Sequence, residues 1–260
     1  MDLQIFETRK AAERAVAAEI AALVAAHPEA VLGLASGDTP VGVYRELVRL
    51  HRDEGLDLSR VRTFNLDEYV ELDPADPRSF HWAMRSGFFE PAGIPVQRTH
   101  FPDAWAQGKQ LPLVALARRC EDFEREIREA GGINLQLLGV GRNGHIGFNE
   151  PGSAATSRTR LVELQPSTRD DAAAVFGGLD QVPAHALTMG VGTILEARAI
   201  RVLAFGNGKR EVVARTMTST ADRRWPASFL HGHSNVRLYA DRAAAPLKYA
   251  LGRARRSSAR

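Results

Sequence analysis

Short apolar runs alternate with longer amphipathic stretches from residue 31 almost to the end of the chain, and that alternation leaves few folds open. Val31 to Ala35, Val61 to Leu66, Ile133 to Val140, Leu161 to Leu164, Ile200 to Phe205 and Val236 to Tyr239 read as strands. Most of them are nearly continuous in apolar residues, as strands buried on both faces must be. Between them the helical periodicity returns. Arg9 to Ala26 carries Val16, Ile20, Leu23 and Val24 on one stripe and stops near Pro28. A second helix is expected to about Arg52, with Thr39 as its N-cap and Pro40 as its first residue. Further helices are expected over Ser79 to Phe89, Leu113 to Glu129, Asp170 to Phe176, Val191 to Glu196 and Lys209 to Thr216. The pattern predicts an α/β protein: a three-layer α/β/α sandwich around a mostly parallel, Rossmann-like sheet. No repeat or linker divides it, so one domain is expected over residues 1 to 250, followed by a basic, disordered tail at 251 to 260.

At 260 residues, with 44% hydrophobic and 25% charged positions, the chain can bury a full core. Its mean hydropathy is −0.23 and no window approaches a membrane span, so no membrane partner is expected. The N-terminus has neither a basic nor an apolar leader region, and the lone Cys120 fits a reducing compartment, so a cytoplasmic location is expected. The isoelectric point of 9.3 suggests nucleic acid, yet 34 basic residues against 31 acidic ones leave only +3. Apart from Lys10, Lys109, Lys209 and Lys248 the basic residues are arginines, scattered among carboxylates rather than gathered on a stripe. No nucleic-acid partner is expected, and Arg253 to Arg260 reads as a frayed end.

In folds of this class ligands bind beyond the carboxyl ends of the strands, so the loops there are the candidate sites. Ser36-Gly37-Asp38-Thr39-Pro40 places small residues and a helix start after a strand, a setting that suits a phosphate provided Asp38 points away. In Thr63-Phe64-Asn65-Leu66-Asp67-Glu68-Tyr69 two carboxylates stand where a strand ends, and one of them can serve as a general base; a solvated loop pair is the plainer alternative. Gly139 to Pro151 (GVGRNGHIGFNEP) is the densest segment, with four glycines in nine residues and Asn143, His145 and Glu150 close together. There a carboxylate can orient and charge an imidazole that transfers a proton. Arg169 and Lys209, one after Ser167-Thr168 and one opening a helix, are candidate phosphate cations. His231-Gly232-His233 is too short for a zinc site, so no metal is expected. There is no GxSxG elbow, Walker loop or first-strand GxGxxG.

Together with Leu32 to Pro40 and Ala186-Leu187-Thr188-Met189-Gly190-Val191-Gly192-Thr193, the FNLDEY and GHIGFNEP runs resemble the glucosamine-6-phosphate deaminase family over residues 30 to 240. The resemblance implies an enzyme, classed as a hydrolase, of amino-sugar and N-acetylglucosamine catabolism. It would turn glucosamine 6-phosphate and water into fructose 6-phosphate and ammonia without a cofactor. Its implied catalytic residues are Asp67, Asn143, His145 and Glu150. His145 would open the pyranose, held by Glu150, and Asp67 would carry the proton from C2 to C1. The implied phosphosugar ligands are Ser36, Gly37, Asp38 and Thr39, with Arg169 on a lid segment and Lys209.

Asn143 stands where some members of the family carry Asp, so only Glu150 is expected to hold the imidazolium. Ser153 and Arg160 match an effector site for N-acetylglucosamine 6-phosphate in hexameric members, but Ala154 and Val162 replace a hydroxyl and a lysine there, so that activation is not expected. Whether the chain is a monomer or a homo-oligomer stays open. One alternative is a 6-phosphogluconolactonase-like hydrolase, whose family tends to carry an arginine where Tyr69 stands and a different run in place of Gly147 to Glu150. Another is a non-catalytic phosphosugar sensor, though a first strand near residue 31 leaves one helix before it, too little for a DNA-binding module.

Overall fold

The computed structural model describes residues 1–106 and 108–246. The expected basic tail and the boundary at residue 250 lie outside the described residues. The chain begins with a strand that the apolar pattern did not reveal, β1 (Asp2–Phe6), and only then enters α1 (Arg9–Ala26). The sequence reading placed the first strand at residue 31. β1 escaped it because it is a half-buried edge strand, without the continuous apolar run of an interior one.

There follow β2 (Val31–Leu34), α2 (Val41–Glu54), β3 (Arg62–Asn65), β4 (Asp67–Tyr69) and α3 (Phe80–Met84), which runs on into a π-helical turn at Arg85–Phe89. Next come β5 (Thr99–His100) and a small hairpin of β6 (Trp105–Ala106) and β7 (Lys109–Gln110). The second half runs α4 (Leu113–Glu129), β8 (Leu135–Gly139), β9 (Arg160–Glu163), α5 (Pro166–Phe176), β10 (His185–Thr188) and α6 (Val191–Leu195). It closes with β11 (Ile200–Ala204), α7 (Arg210–Thr218) and β12 (Val236–Asp241).

Seven strands form one sheet in the order β1-β12-β11-β8-β2-β3-β5, and every pairing in it is parallel. One face buries Leu32, Leu34, Leu135 and Leu137 against Val16, Ile20, Val43 and Leu47 of α1 and α2. The other buries Phe64, Leu138, Ile200 and Val202 against Phe123 and Ile127 of α4, Ile194 of α6 and Val212 of α7. This is the expected three-layer sandwich. From β2 the chain moves outward through β3 and β5, whereas β8, β11 and β12 build the other side. The β2/β8 boundary is therefore the switch point, where the loops after two adjacent strands part and leave a crevice.

A second, antiparallel sheet of β4, β10 and β9 stands beside that crevice. Leu66 is the joint between the sheets: its N–H bonds Leu34 O (2.9 Å) in the large sheet and its carbonyl accepts from Met189 N (2.6 Å) in the small one. The parallel reading did not foresee this sheet, because β10 is short and sits inside a segment singled out only as a motif. Two helix starts also differ. Pro40 rather than Thr39 is the N-cap of α2, and no side chain caps it. The helix expected from Asp170 starts at Pro166, which brings Thr168 and Arg169 into its first turn.

Candidate active site

Asp67 sits just past the joint at Leu66, paired with Thr188 of β10, and is buried rather than solvated. No hydrogen-bond donor among the described residues reaches its carboxylate, and burial alone pushes its pKa up to about 7. Glu68 is buried as well and burial pushes it to a similar value, but its surroundings differ. Its Oε1 accepts from Tyr69 N (2.8 Å) and Phe80 N (3.2 Å), and its Oε2 accepts from His81 N (2.7 Å). Glu68 thus satisfies the free N–H groups at the start of α3. Of the two carboxylates, only Asp67 is uncommitted.

The glycine-rich loop after β8 closes onto Asp67. Gly147 has φ +55°, and a Cβ there would lie 3.4 Å from Asp67 Oδ2 and 3.2 Å from Thr188 Oγ1, so the loop backbone lies against the carboxylate. Three further bonds fix the register. Phe148 N donates to Thr188 Oγ1 (3.1 Å), and Asn149 Nδ2 donates to Ile146 O (2.9 Å) and Met189 O (2.8 Å). The His145 ring packs over Gly141, where a Cβ would fall 2.1 Å from its Cε1. A side chain at position 141 would have to push the ring out of this place.

His145 Nδ1 lies 3.5 Å from Glu150 Oε2 and has no other partner among the described residues. Asn143 joins both groups, its Nδ2 donating to Glu150 Oε2 (2.7 Å) while its Oδ1 accepts from His145 N (3.2 Å). Thr168 Oγ1, reaching over from α5, donates to Glu150 Oε1. Burial would raise the Glu150 pKa, but His145, Thr168 and Asn143 outweigh it and hold the carboxyl below its ordinary value. A carboxylate kept ionised beside Nδ1 fixes the imidazole with its other nitrogen free to exchange a proton. Sequence reading missed Thr168, Thr188 and Asn149. Their hydroxyls and amide act across contacts 18 to 40 residues away, which no local pattern reports.

Across the switch point, Thr39 packs against Gly139 at the end of β8, with its Cβ 3.7 Å from the position a Cβ on Gly139 would take. Ser36 Oγ accepts from Asn65 Nδ2 (3.2 Å), which leaves the hydroxyl proton to donate, and Asp38 is exposed. The N–H groups of Gly37, Asp38 and Thr39 have no partner among the described residues. Lys209 enters from the loop after β11, its Nζ donating to Val140 O (2.9 Å), and burial lowers its pKa. The structure thus brings Lys209 and the Ser36 to Thr39 loop to the same stretch of chain, residues 139 and 140. Arg169 is not brought there: its Nη2 donates to the carbonyls of Val182 (2.9 Å) and Leu179 (3.2 Å). Its neighbours Thr168 and Asp171 touch the glycine-rich loop instead, at Glu150 and at Arg142.

Adjoining Glu150, a cavity of about 450 Å³ is lined by Ser153, Ala154, Arg160, Val162 and Arg223, among others. Arg160 spends its guanidinium on Asn149 Oδ1 (2.9 Å) and Ser153 Oγ (3.1 Å). His231 and His233 each lie 2.6 Å from a backbone carbonyl, of Thr216 and Ala197. Among the described residues no three potential metal ligands gather, and no helix is long and apolar enough to cross a membrane.

Comparison with known proteins points the same way as this geometry. The sequence profile of the family described as glucosamine-6-phosphate isomerases/6-phosphogluconolactonase matches residues 6–239. A glucosamine-6-phosphate deaminase of Bacillus velezensis is 46% identical over 226 residues, 87% of this chain and 91% of that one. A second, from Halothermothrix orenii, is 40% identical over 247 residues, 95% of this chain and all of its own length. Among solved structures, a monomeric glucosamine-6-phosphate deaminase superposes with a TM-score of 0.88 at 40% identity, covering 94% of this chain and 98% of that one. A 6-phosphogluconolactonase from Trypanosoma brucei reaches a TM-score of 0.73 at 22% identity, covering 94% and 97%, a likeness of fold alone.

Proposed function

The chain belongs to the glucosamine-6-phosphate isomerase/6-phosphogluconolactonase family, and from that premise we infer that it converts glucosamine 6-phosphate and water to fructose 6-phosphate and ammonia. The observation that carries the reading is the pairing of a buried, donor-free Asp67 with the His145–Glu150 pair on one loop. The 6-phosphogluconolactonases of Trypanosoma brucei and Thermotoga maritima resemble the chain at 22% and 20% identity, a likeness of fold alone.

On this reading His145 gives a proton to the ring oxygen as the C1–O5 bond breaks, and Glu150 stabilises the imidazolium required for that step. Thr168 and Asn143 hold Glu150 in place. Loss of the O1 proton leaves C1 as an aldehyde. Asp67 then takes the proton from C2 as a C1–C2 double bond forms and the carbonyl pair moves to O1, which is protonated. The nitrogen lone pair drives return of the proton from the same carboxylate to C1. The resulting imine at C2 adds water and expels ammonia, so the net reaction consumes one water, a hydrolytic balance. A base that must ionise near neutrality and accept a proton from carbon is served by a raised pKa and by the absence of donors that would tie up its lone pairs. The phosphate is assigned to the Ser36 to Thr39 loop and Lys209, with Arg169 joining if α5 moves toward the crevice. A phosphorylated amino sugar is an intracellular metabolite, and we place the enzyme in cytoplasmic amino-sugar catabolism.

The test is product analysis. Glucosamine 6-phosphate should yield ammonia and fructose 6-phosphate in equal amounts, with 6-phosphogluconolactone left intact. Lactone hydrolysis without ammonia release would refute the assignment.

A further inference from the structure

Arg9, at the start of α1, lies far in sequence from the crevice, yet it touches the Ser36 to Thr39 loop and the residue that leads into the Lys209 loop. Its Nη2 donates to the carbonyls of Asp38 (2.8 Å) and Thr39 (3.3 Å). Its Nε bonds Glu13 Oε1 (2.6 Å), and its guanidinium carbon lies 5.2 Å from the centre of the Phe205 ring. Phe205 immediately precedes the Gly206 to Lys209 loop. Glu13 in turn lies under the first turn of α2, where a Cβ on Gly42 would fall 2.0 Å from its carboxyl carbon. One half-exposed side chain, oriented by a neighbouring carboxylate, therefore grips the loop after β2 and covers the residue leading into the loop after β11.

We propose that Arg9 is a positioning residue for phosphate binding, acting through the Ser36 to Thr39 loop; this rests on the phosphate assignment above. A trans peptide points its N–H opposite to its C=O. Drawing the Asp38 carbonyl onto Arg9 therefore turns the Thr39 N–H the other way, away from α1, and that N–H has no partner among the described residues. The second carbonyl, that of Thr39, precedes Pro40, so its capture costs no donor. A cation on a carbonyl also polarises its peptide and makes the N–H on the far side a better donor to an anion. Arg9 thus aims and strengthens a phosphate donor without touching the phosphate.

The experiment compares wild type, Arg9→Ala and Arg9→Lys by steady-state kinetics with glucosamine 6-phosphate and by calorimetric titration with inorganic phosphate. In Arg9→Ala the KM and the phosphate Kd should rise together by about five- to tenfold, with kcat within about twofold of wild type. Arg9→Lys should restore only part, because an ammonium lacks the fork that spans two carbonyls and the flat face that covers Phe205. An unchanged phosphate Kd in Arg9→Ala would overturn the proposal, as would a fall in kcat at constant KM. The phosphate titration separates this inference from the reaction assignment. A wild type that binds phosphate but leaves glucosamine 6-phosphate intact contradicts the deaminase reading, while a weakened Kd in Arg9→Ala would still support the role of Arg9.

Discussion

Replacing Asp67 by asparagine should abolish turnover and at the same time stabilise the fold, and pH separates the two effects. The carboxyl has an ordinary value of 3.8 and is pushed by burial to about 7. A group whose pKa is raised on folding favours the folded state while it is protonated, and that advantage is lost as pH rises from the unfolded value through the folded one. Relative to an uncharged isostere, the wild type therefore carries a growing penalty between about pH 4 and pH 7. At about 1.4 kcal/mol per pH unit the penalty is roughly 1.5 kcal/mol at pH 5 and about 4 kcal/mol at most above pH 8. Asp67→Asn removes it. Thermal unfolding of both proteins at pH 5 and pH 8.5 should show the mutant's advantage widening by about 2.5 kcal/mol, roughly 5–10 °C in Tm for a chain of this size. Turnover should fall by about 10²- to 10⁴-fold, the usual contribution of a positioned base. A gap in Tm that is flat with pH, or a less stable mutant at pH 8.5, would refute the claim that Asp67 is held desolvated and without donors.

In the wild type, kcat/KM should rise with pH through about 7 as Asp67 ionises in the free enzyme, and a kcat/KM profile without that limb would count against it as the base. Glu68→Ala should leave the N–H groups of Tyr69, Phe80 and His81 without their carboxylate and cost about 1–3 kcal/mol by denaturant unfolding, which distinguishes a structural carboxylate from a catalytic one. Thr168→Val should lower kcat by about tenfold through loss of the bond to Glu150, and Thr168→Ser should recover most of it; equal activity in all three proteins would remove Thr168 from the account. Adding N-acetylglucosamine 6-phosphate at sub-saturating substrate should leave the rate unchanged, since Ala154 and Val162 offer the cavity beside Glu150 neither a hydroxyl nor a cation.

The interior of the sheet was legible because burial on both faces forces apolar runs: the strands at Val31, Leu135 and Ile200 and the helix from Leu113 to Glu129 lie where the pattern puts them. β1 and β10 were not, since an edge strand and a three-stranded annex need only half a pattern. The same division holds in the site. Asp67, His145 and Glu150 stand out as polar groups near the ends of apolar strands, and the structure brings Asp67, the first residue of β4, against the loop that carries the other two. Asn143 also emerged, though as a support that joins Glu150 to His145 rather than as a second charge. Thr168 and Arg9 carry no local sign of their use, because what each does is decided by a partner that only the fold brings near.

The most direct test of Asp67 as the base that moves a proton between C2 and C1 is to run the reaction in D2O and read the label in the product by NMR. Deuterium should enter C1 to less than one atom per fructose 6-phosphate and in a single stereochemical position, because one carboxylate on one face carries the C2 proton to C1 and only the fraction that exchanges with solvent on the way is labelled. Asp67→Asn should give no labelled product above background. Label in both C1 positions, or undiminished stereospecific labelling by Asp67→Asn, would contradict the account.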